Sequence, residues 1–335
     1  MTADTILLVG HGSRERSGND EILAFTEQWR KRQPSWSIEV CFIELADITM
    51  AKGLAQAAAK SDRVVVVPLI LNAAGHVKMD IPQAIDAARL QFPKVQFLYT
   101  PELTACDHLL KVVLRRLKTA MQALDMPDPT TTGVVVLGRG SSDRHANGEL
   151  AKMARWVMEE SDHTLVDVAF TGVTYPRLEK AVQRQYLLGM TQVVVLPYYL
   201  FNGTLMERIL RQVAHLKTQY PTLRFALTDY FGFEPEVFDL LEQRVADVQL
   251  GRPAALMACD GCKFREFAVA QGQGGHQHDD GTSHDPAHPH PHPHPNPNPN
   301  PHAHKHEHEH DHEHAHAHGH GHVDGHSHHD VGVRV

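Results

Sequence analysis

Displaced by 128 residues, the sequence falls on itself, and this repeat constrains the fold more than any other feature. Gly10-His11-Gly12-Ser13 lies on Gly138-Arg139-Gly140-Ser141, Asn19 on Asn147, Glu21 on Glu149, and Phe92-Pro93 on Tyr220-Pro221. With one further residue of shift, Val64-Val65-Val66-Val67-Pro68 lies on Val193-Val194-Val195-Leu196-Pro197. Agreement at one offset over so many separated points implies two tandem copies of one domain.

Each copy alternates strand and helix. In the first, β-branched or apolar runs predict strands at 6–9, 38–43, 64–68 and 95–98, and helical spacing predicts helices at 22–30, 51–59, 81–90 and 109–121. In the second, strands are expected at 134–137, 165–170, 193–197 and 223–227, with helices at 150–160, 178–188, 205–216 and 237–248. The continuous apolar run at 64–68 suits a strand buried on both faces of a parallel sheet. The expected fold is therefore α/β, with two tandem domains, each a parallel sheet flanked by helices. Residues 1–124 form the first domain, 125–132 a proline- and threonine-rich linker, and 133–252 the second domain. Residues 253–270 carry a Cys pair, and 271–335 read as a disordered tail.

Ligands of parallel α/β sheets bind at the carboxyl ends of the strands. Three residues of the first copy fall there: His11 after the first strand, Glu44 at the end of the second and His76 after the third. Imidazoles bind divalent transition metals or accept protons near neutral pH, and a carboxylate orients them or takes the proton onward. A lone histidine after a strand is ordinarily a loop residue, and glycine beside it ordinarily marks a tight turn. The second copy tests that bland reading, because it has Arg139, Gly172 and about Thr204 at the three positions. The scaffold matches while all three depart together, which reads as one active site and one vacated site.

The segments at 8–14, Leu-Val-Gly-His-Gly-Ser-Arg, and 68–82, from Pro68 through Asn72-Ala73-Ala74-Gly75-His76 to Pro82, resemble the sirohydrochlorin cobaltochelatases. The likeness is to the long, two-domain, histidine-rich CbiX form within the class II tetrapyrrole chelatases. It extends to Met257-Ala258-Cys259-Asp260-Gly261-Cys262. The resemblance implies ATP-independent insertion of Co²⁺ into sirohydrochlorin for cobalamin synthesis, with His11 and His76 as metal ligands and proton acceptors and Glu44 assisting. Iron insertion to give sirohaem, or nickel insertion, would use the same ligands. The macrocycle carries many carboxylates, so Ser13, Arg14, Arg16 and Lys78 are candidate substrate contacts, or else ordinary solvated groups. Arg139 is a candidate for gripping a carboxylate from across the cleft.

Cys259-x-x-Cys262 is a redox pair, half a metal site or a coincidence of spacing. The resemblance implies a [4Fe–4S] centre, which needs four thiolates and could then be shared in a homodimer. From His276 onward lie 21 of the 27 histidines, including His302, His304, His306, His308, His310, His312, His314, His316, His318, His320 and His322. Such a tail can bind Co²⁺, Ni²⁺, Zn²⁺ or Cu²⁺ for storage or delivery. A storage or chaperone protein is the alternative of another class, and it would leave His11, Glu44 and His76 without a purpose. A phosphate-handling enzyme could use a Gly-His-Gly loop but not the tail. The formal charge of -8 argues against a nucleic-acid partner. No apolar run approaches a membrane span, residues 1–5 lack a basic signal-peptide start, and the cysteine usage fits a reducing cytoplasm.

Overall fold

The computed structural model describes residues 4–13, 16–72, 74–124 and 126–251, excepting the side chains of Ser17, His76 and Val77. In the first repeat the elements are β1 (Thr5–Gly10), α1 (Arg16–Arg32), β2 (Ser37–Phe42), α2 (Met50–Ala58), β3 (Arg63–Pro68), α3 (Gly75–Gln91), β4 (Gln96–Tyr99) and α4 (Asp107–Gln122). The second contains β5 (Thr132–Gly138), α5 (Arg144–Glu159), β6 (Val166–Phe170), α6 (Leu178–Leu187), β7 (Gln192–Pro197), α7 (Thr204–Gln219), β8 (Arg224–Leu227) and α8 (Pro235–Gln249). Both sheets are parallel, in the orders β2-β1-β3-β4 and β6-β5-β7-β8.

Three helices start earlier than apolar periodicity indicates: α1 at Arg16, α3 at Gly75 and α5 at Arg144. Their first turns lie at the sheet edge rather than over a core, so no apolar stripe marks them. Pro82 sits inside α3 instead of opening it. The consequence for function is that His76 and Lys78 belong to a helix terminus, not to a loop.

Alternate residues of each central strand feed different cores, as a period of two requires. Leu7, Val9, Val64 and Val66 face an outer core under α2 and α3, and Val135, Leu137, Val193 and Val195 face a second one under α6 and α7. Ile6, Leu8, Val65 and Val67, together with Val134, Val136, Val194 and Leu196, face one continuous inner core that spans both repeats.

The inner helices are exchanged. Helices α1 and α5 lie on their own sheets, but α4 packs on β7 and β8 of the second sheet, and α8 packs on β3 of the first. Phe25 of α1 stacks on Phe238 of α8 at 4.1 Å, nearly parallel. Arg32 beside them pairs with Glu242 at 2.6 Å and with Asp239. Arg115 and Arg116 of α4 hold Glu234 at 2.6 and 2.9 Å, ahead of α8. Each repeat thus completes the other's core, so the two expected domains differ from the packing units. Among the described residues no helix is long and apolar enough to cross a membrane.

Candidate active site

In both sheets the chain leaves the first strand in one direction for its neighbour and returns on the other side. In the first sheet the order reverses between β1 and β3, where parallel α/β folds open a ligand crevice. His11 follows β1, and His76 stands on the first turn of α3, just after β3. Glu44 follows β2, the other neighbour of β1.

Backbone hydrogen bonds continue past the strands and fix these loops. The Ile43 N–H donates to Gly10 O at 3.0 Å, and the Glu44 N–H donates to His11 O at 3.2 Å. Gly12 has φ +92, and a Cβ there would lie 1.7 Å from the Glu44 carbonyl oxygen. Only glycine lets the two loops approach this closely. Leu45 follows with φ +57. Asn19 of α1 clamps the arrangement: its Oδ1 accepts the Ser13 N–H at 2.9 Å, and its Nδ2 donates to Ser13 O at 2.9 Å and to Leu45 O at 3.3 Å.

The result brings His11 Nδ1 to 3.6 Å from Glu44 Oε1, with both side chains partly exposed. That separation is an electrostatic pair rather than a hydrogen bond. Nδ1 is also 3.3 Å from Gly12 O. With two oxygen acceptors beside it, Nδ1 is the nitrogen favoured to carry the proton. Nε2 then keeps its lone pair. Among the described side chains no group of three metal-ligating residues assembles. The His76 side chain, proposed from sequence as the second imidazole, lies outside the described residues.

The other expected contacts divide. Ser13 has its backbone groups engaged by Asn19, so it is part of the loop clamp. Arg16 is exposed at the start of α1, while Arg14 lies outside the described residues. Lys78, expected as a cation for substrate, is already paired: its Nζ donates to Asp143 Oδ2 at 2.6 Å, with both side chains largely buried. Asp143 also caps α5 by accepting the His145 N–H at 2.8 Å. Burial alone would raise its pKa, but the bonds from Lys78 and His145 outweigh burial and hold it below the ordinary carboxylate range. This pair ties the His76 turn to the second repeat. Sequence reasoning missed it because nothing in a sequence couples positions 78 and 143. Cys259, Cys262 and every tail histidine from His302 to His322 lie outside the described residues.

The second repeat rebuilds the same loops without the pair. The Thr171 and Gly172 N–H groups donate to Gly138 O and Arg139 O, each at 2.9 Å. Gly140 has φ +86, Val173 has φ +60, and Asn147 clamps Ser141 at 2.9 and 2.8 Å. Identical backbone with different side chains separates scaffold from chemistry.

One of the two fused parallel α/β repeats thus carries a histidine–carboxylate pair at the carboxyl edge of its sheet. The CbiX family model matches residues 5–120 and again 133–248, and the chain belongs to the CbiX family. It is 37% identical over 264 residues to the sirohydrochlorin cobaltochelatase of Priestia megaterium, covering 78% of this chain and 84% of that one. Among solved structures it resembles SirB from Bacillus subtilis with Fe3+, at TM-score 0.63 and 31% identity, covering 76% of this chain and 96% of that one. It also resembles the sirohydrochlorin chelatase SirB from Bacillus subtilis subspecies spizizenii in complex with cobalt. There the TM-score is 0.61 and the identity 28%, over 76% and 98% of the two chains.

Proposed function

We propose that this protein inserts Co²⁺ into sirohydrochlorin without ATP, and that the observation carrying this reading is the His11–Glu44 pair, kept in one repeat and lost from the other. The relative named a cobaltochelatase supports cobalt as the metal. Iron is the second reading, favoured by the similar SirB structure solved with Fe3+.

Insertion exchanges two pyrrole N–H protons for one divalent cation, so the site must deliver a metal and remove protons. His11 does both through Nε2, holding the aquated metal loosely and then accepting a proton while Nδ1–H stays directed at Gly12 O and Glu44. The resulting imidazolium is stabilised by Glu44, whose exposure lets the proton pass to solvent. His76, on the far side of the crevice, is assigned the second ligand or proton acceptor. Ser13, Arg14 and Arg16 are assigned as substrate contacts on their place in the sequence beside His11, and Lys78 acts by positioning the α3 terminus. General-base steps of this kind contribute about 10²–10⁴-fold. The test is absorbance-monitored insertion of Co²⁺, Fe²⁺ or Ni²⁺ into sirohydrochlorin by wild type, His11→Ala, His76→Ala and Glu44→Gln. Wild-type rates in both histidine variants would sink the assignment.

The reading extends to the rest of the chain. Residues 1–124 supply the catalytic loops, 133–252 the supporting repeat and 271–335 a metal reserve. Truncation after Gln271 should leave turnover intact at saturating Co²⁺ and weaken it at limiting Co²⁺; equal activity at limiting metal would refute delivery. Neither described cysteine fits a [4Fe–4S] cluster. Cys41 is fully buried in the outer core of the first sheet, and Cys106 is half-buried ahead of α4, so the two belong to different parts of the fold. A cluster would rest on Cys259 and Cys262 from each of two subunits, and replacing either should abolish its visible absorbance. The free thiols of Cys41 and Cys106 suit the cytoplasm.

A further inference from the structure

The strand-end backbone is alike in the two repeats, but the charge it presents is inverted. Where the first carries His11 and Glu44, the second carries Arg139 and Gly172. Nothing in the backbone demands glycine at 172. Its φ lies outside the left-handed region, and the nearest atoms to a Cβ there would be Arg139 O at 3.6 Å and Arg177 Nη1 at 4.0 Å, ordinary contacts. What the missing side chain leaves is a guanidinium with no carboxylate of the described chain beside it. Arg177 Nη1 is buried and has no hydrogen-bond partner, while its guanidinium stacks on Tyr175 with Cζ 4.7 Å from the ring centroid. An unsatisfied, buried guanidinium nitrogen is costly unless an anion meets it. Arg139 is exposed. Beside it, the Tyr199 and Thr171 hydroxyls bond at 2.7 Å. Burial pushes the Tyr199 pKa up to about 12 against the pull of Thr171 and Arg139.

The two edges approach one another. Besides Lys78–Asp143, Glu21 of α1 accepts the Asn202 N–H at 2.7 Å and the Tyr230 hydroxyl at 2.8 Å, from the loops after β7 and β8. We propose that the second repeat's strand edge is a carboxylate-binding site, in which Arg139 and Arg177 hold a peripheral carboxylate of the tetrapyrrole whose ring nitrogens face His11. The inference rests on the function proposed above and assigns a role to the repeat that lacks the histidine pair. Guanidinium forks suit carboxylates in geometry and charge. A glutamate at 172, the residue type of the first repeat, would instead satisfy Arg177 from within the chain.

Arg139→Gln and Gly172→Glu test this, the Cβ of the second meeting only ordinary contacts. Each should raise KM for sirohydrochlorin about tenfold or more, leave kcat within about twofold and leave KM for Co²⁺ unchanged. Equilibrium binding of metal-free sirohydrochlorin should weaken by the same factor, and a fully esterified tetrapyrrole should bind wild type and variants alike. Unchanged KM and binding in both variants, with thermal midpoints preserved, overturn the proposal, as does an equal loss with the esterified macrocycle. If wild type binds sirohydrochlorin more tightly than the variants yet inserts no metal, the carboxylate site stands and the chelatase reading falls.

Discussion

Replacing Gly12 with alanine tests whether the loop contact, rather than His11 alone, builds the site. The new Cβ would lie 1.7 Å from the Glu44 carbonyl oxygen, and side-chain carbons do not come within 3.0 Å of such atoms. Because the obstacle is backbone, the loops must part by the difference, about 1.3 Å. A φ of +92 adds about 1–2 kcal/mol of strain for a residue with a Cβ. Opening the loops also disturbs the Glu44 N–H bond to His11 O and the Asn19 bond to Leu45 O, about 1 kcal/mol each. The total, about 3–4 kcal/mol, corresponds to a fall in Tm on the order of 10 °C for a fold of this size. The same displacement separates Glu44 from His11, and a misplacement of about 1 Å in a reacting constellation costs on the order of a hundredfold in rate. The repeat supplies the control. Gly140→Ala meets Gly172 O at 2.3 Å with φ +86, so it should lower Tm comparably. It disturbs no histidine–carboxylate pair, so kcat for Co²⁺ insertion should hold while KM for the tetrapyrrole rises. Scanning calorimetry and the absorbance assay on both variants decide it. Equal loss of kcat in the two, or full activity in Gly12→Ala, would refute the reasoning.

Phe238→Ala removes the ring stacked on Phe25 and should cost about 3–5 kcal/mol, unfolding the first sheet's core although the residue belongs to the second repeat. Hydrogen exchange reporting loss of protection in β3 alongside α8 would confirm the exchange of helices; loss restricted to the second sheet would contradict it. The Lys78–Asp143 pair gives a pH signature. The folded pKa of Asp143 lies below its unfolded value, so its contribution is present above about pH 4 and is lost as pH falls through the folded value. Lys78→Met should therefore lower the urea midpoint at pH 7, with the gap to wild type narrowing below about pH 4. A gap independent of pH would rule the pair out as a stabilising contact.

The sheets were readable because buried parallel strands advertise themselves: Val64 to Pro68 and Val193 to Pro197 have no polar residue to confuse them, and both are strands. The approach of His11 to Glu44 could be anticipated by comparing the copies, since Gly12, Asn19 and Phe42 recur as Gly140, Asn147 and Phe170 while His11 and Glu44 do not. The exchange of α4 and α8 was not. Amphipathic spacing says which face of a helix is buried, and Val113 or Phe238 would satisfy either sheet equally. Lys78 reads as an available cation until its distance to Asp143 is known. Arg177 carried no signal at all, because its counterpart is Thr49 and its partnerless nitrogen is a property of packing.

Helix exchange also makes the repeat without the histidine–carboxylate pair necessary to the fold. The inner face of the first sheet is covered by α1 and by α8, and α8 is the last described element of the second repeat. Removing the second repeat would therefore strip the first of Phe238, Leu241 and Val245, all fully or almost fully buried in the shared core. The scaffold requirement does not reach the strand-end side chains, because the loops there are held by backbone bonds that any residue can make. Arg139 and Gly172 could depart from His and Glu without loss of fold, whereas Gly140 and Asn147 could not. The second edge can therefore carry Arg139 and Gly172, and with them the carboxylate site proposed above, while the same backbone bonds keep the fold.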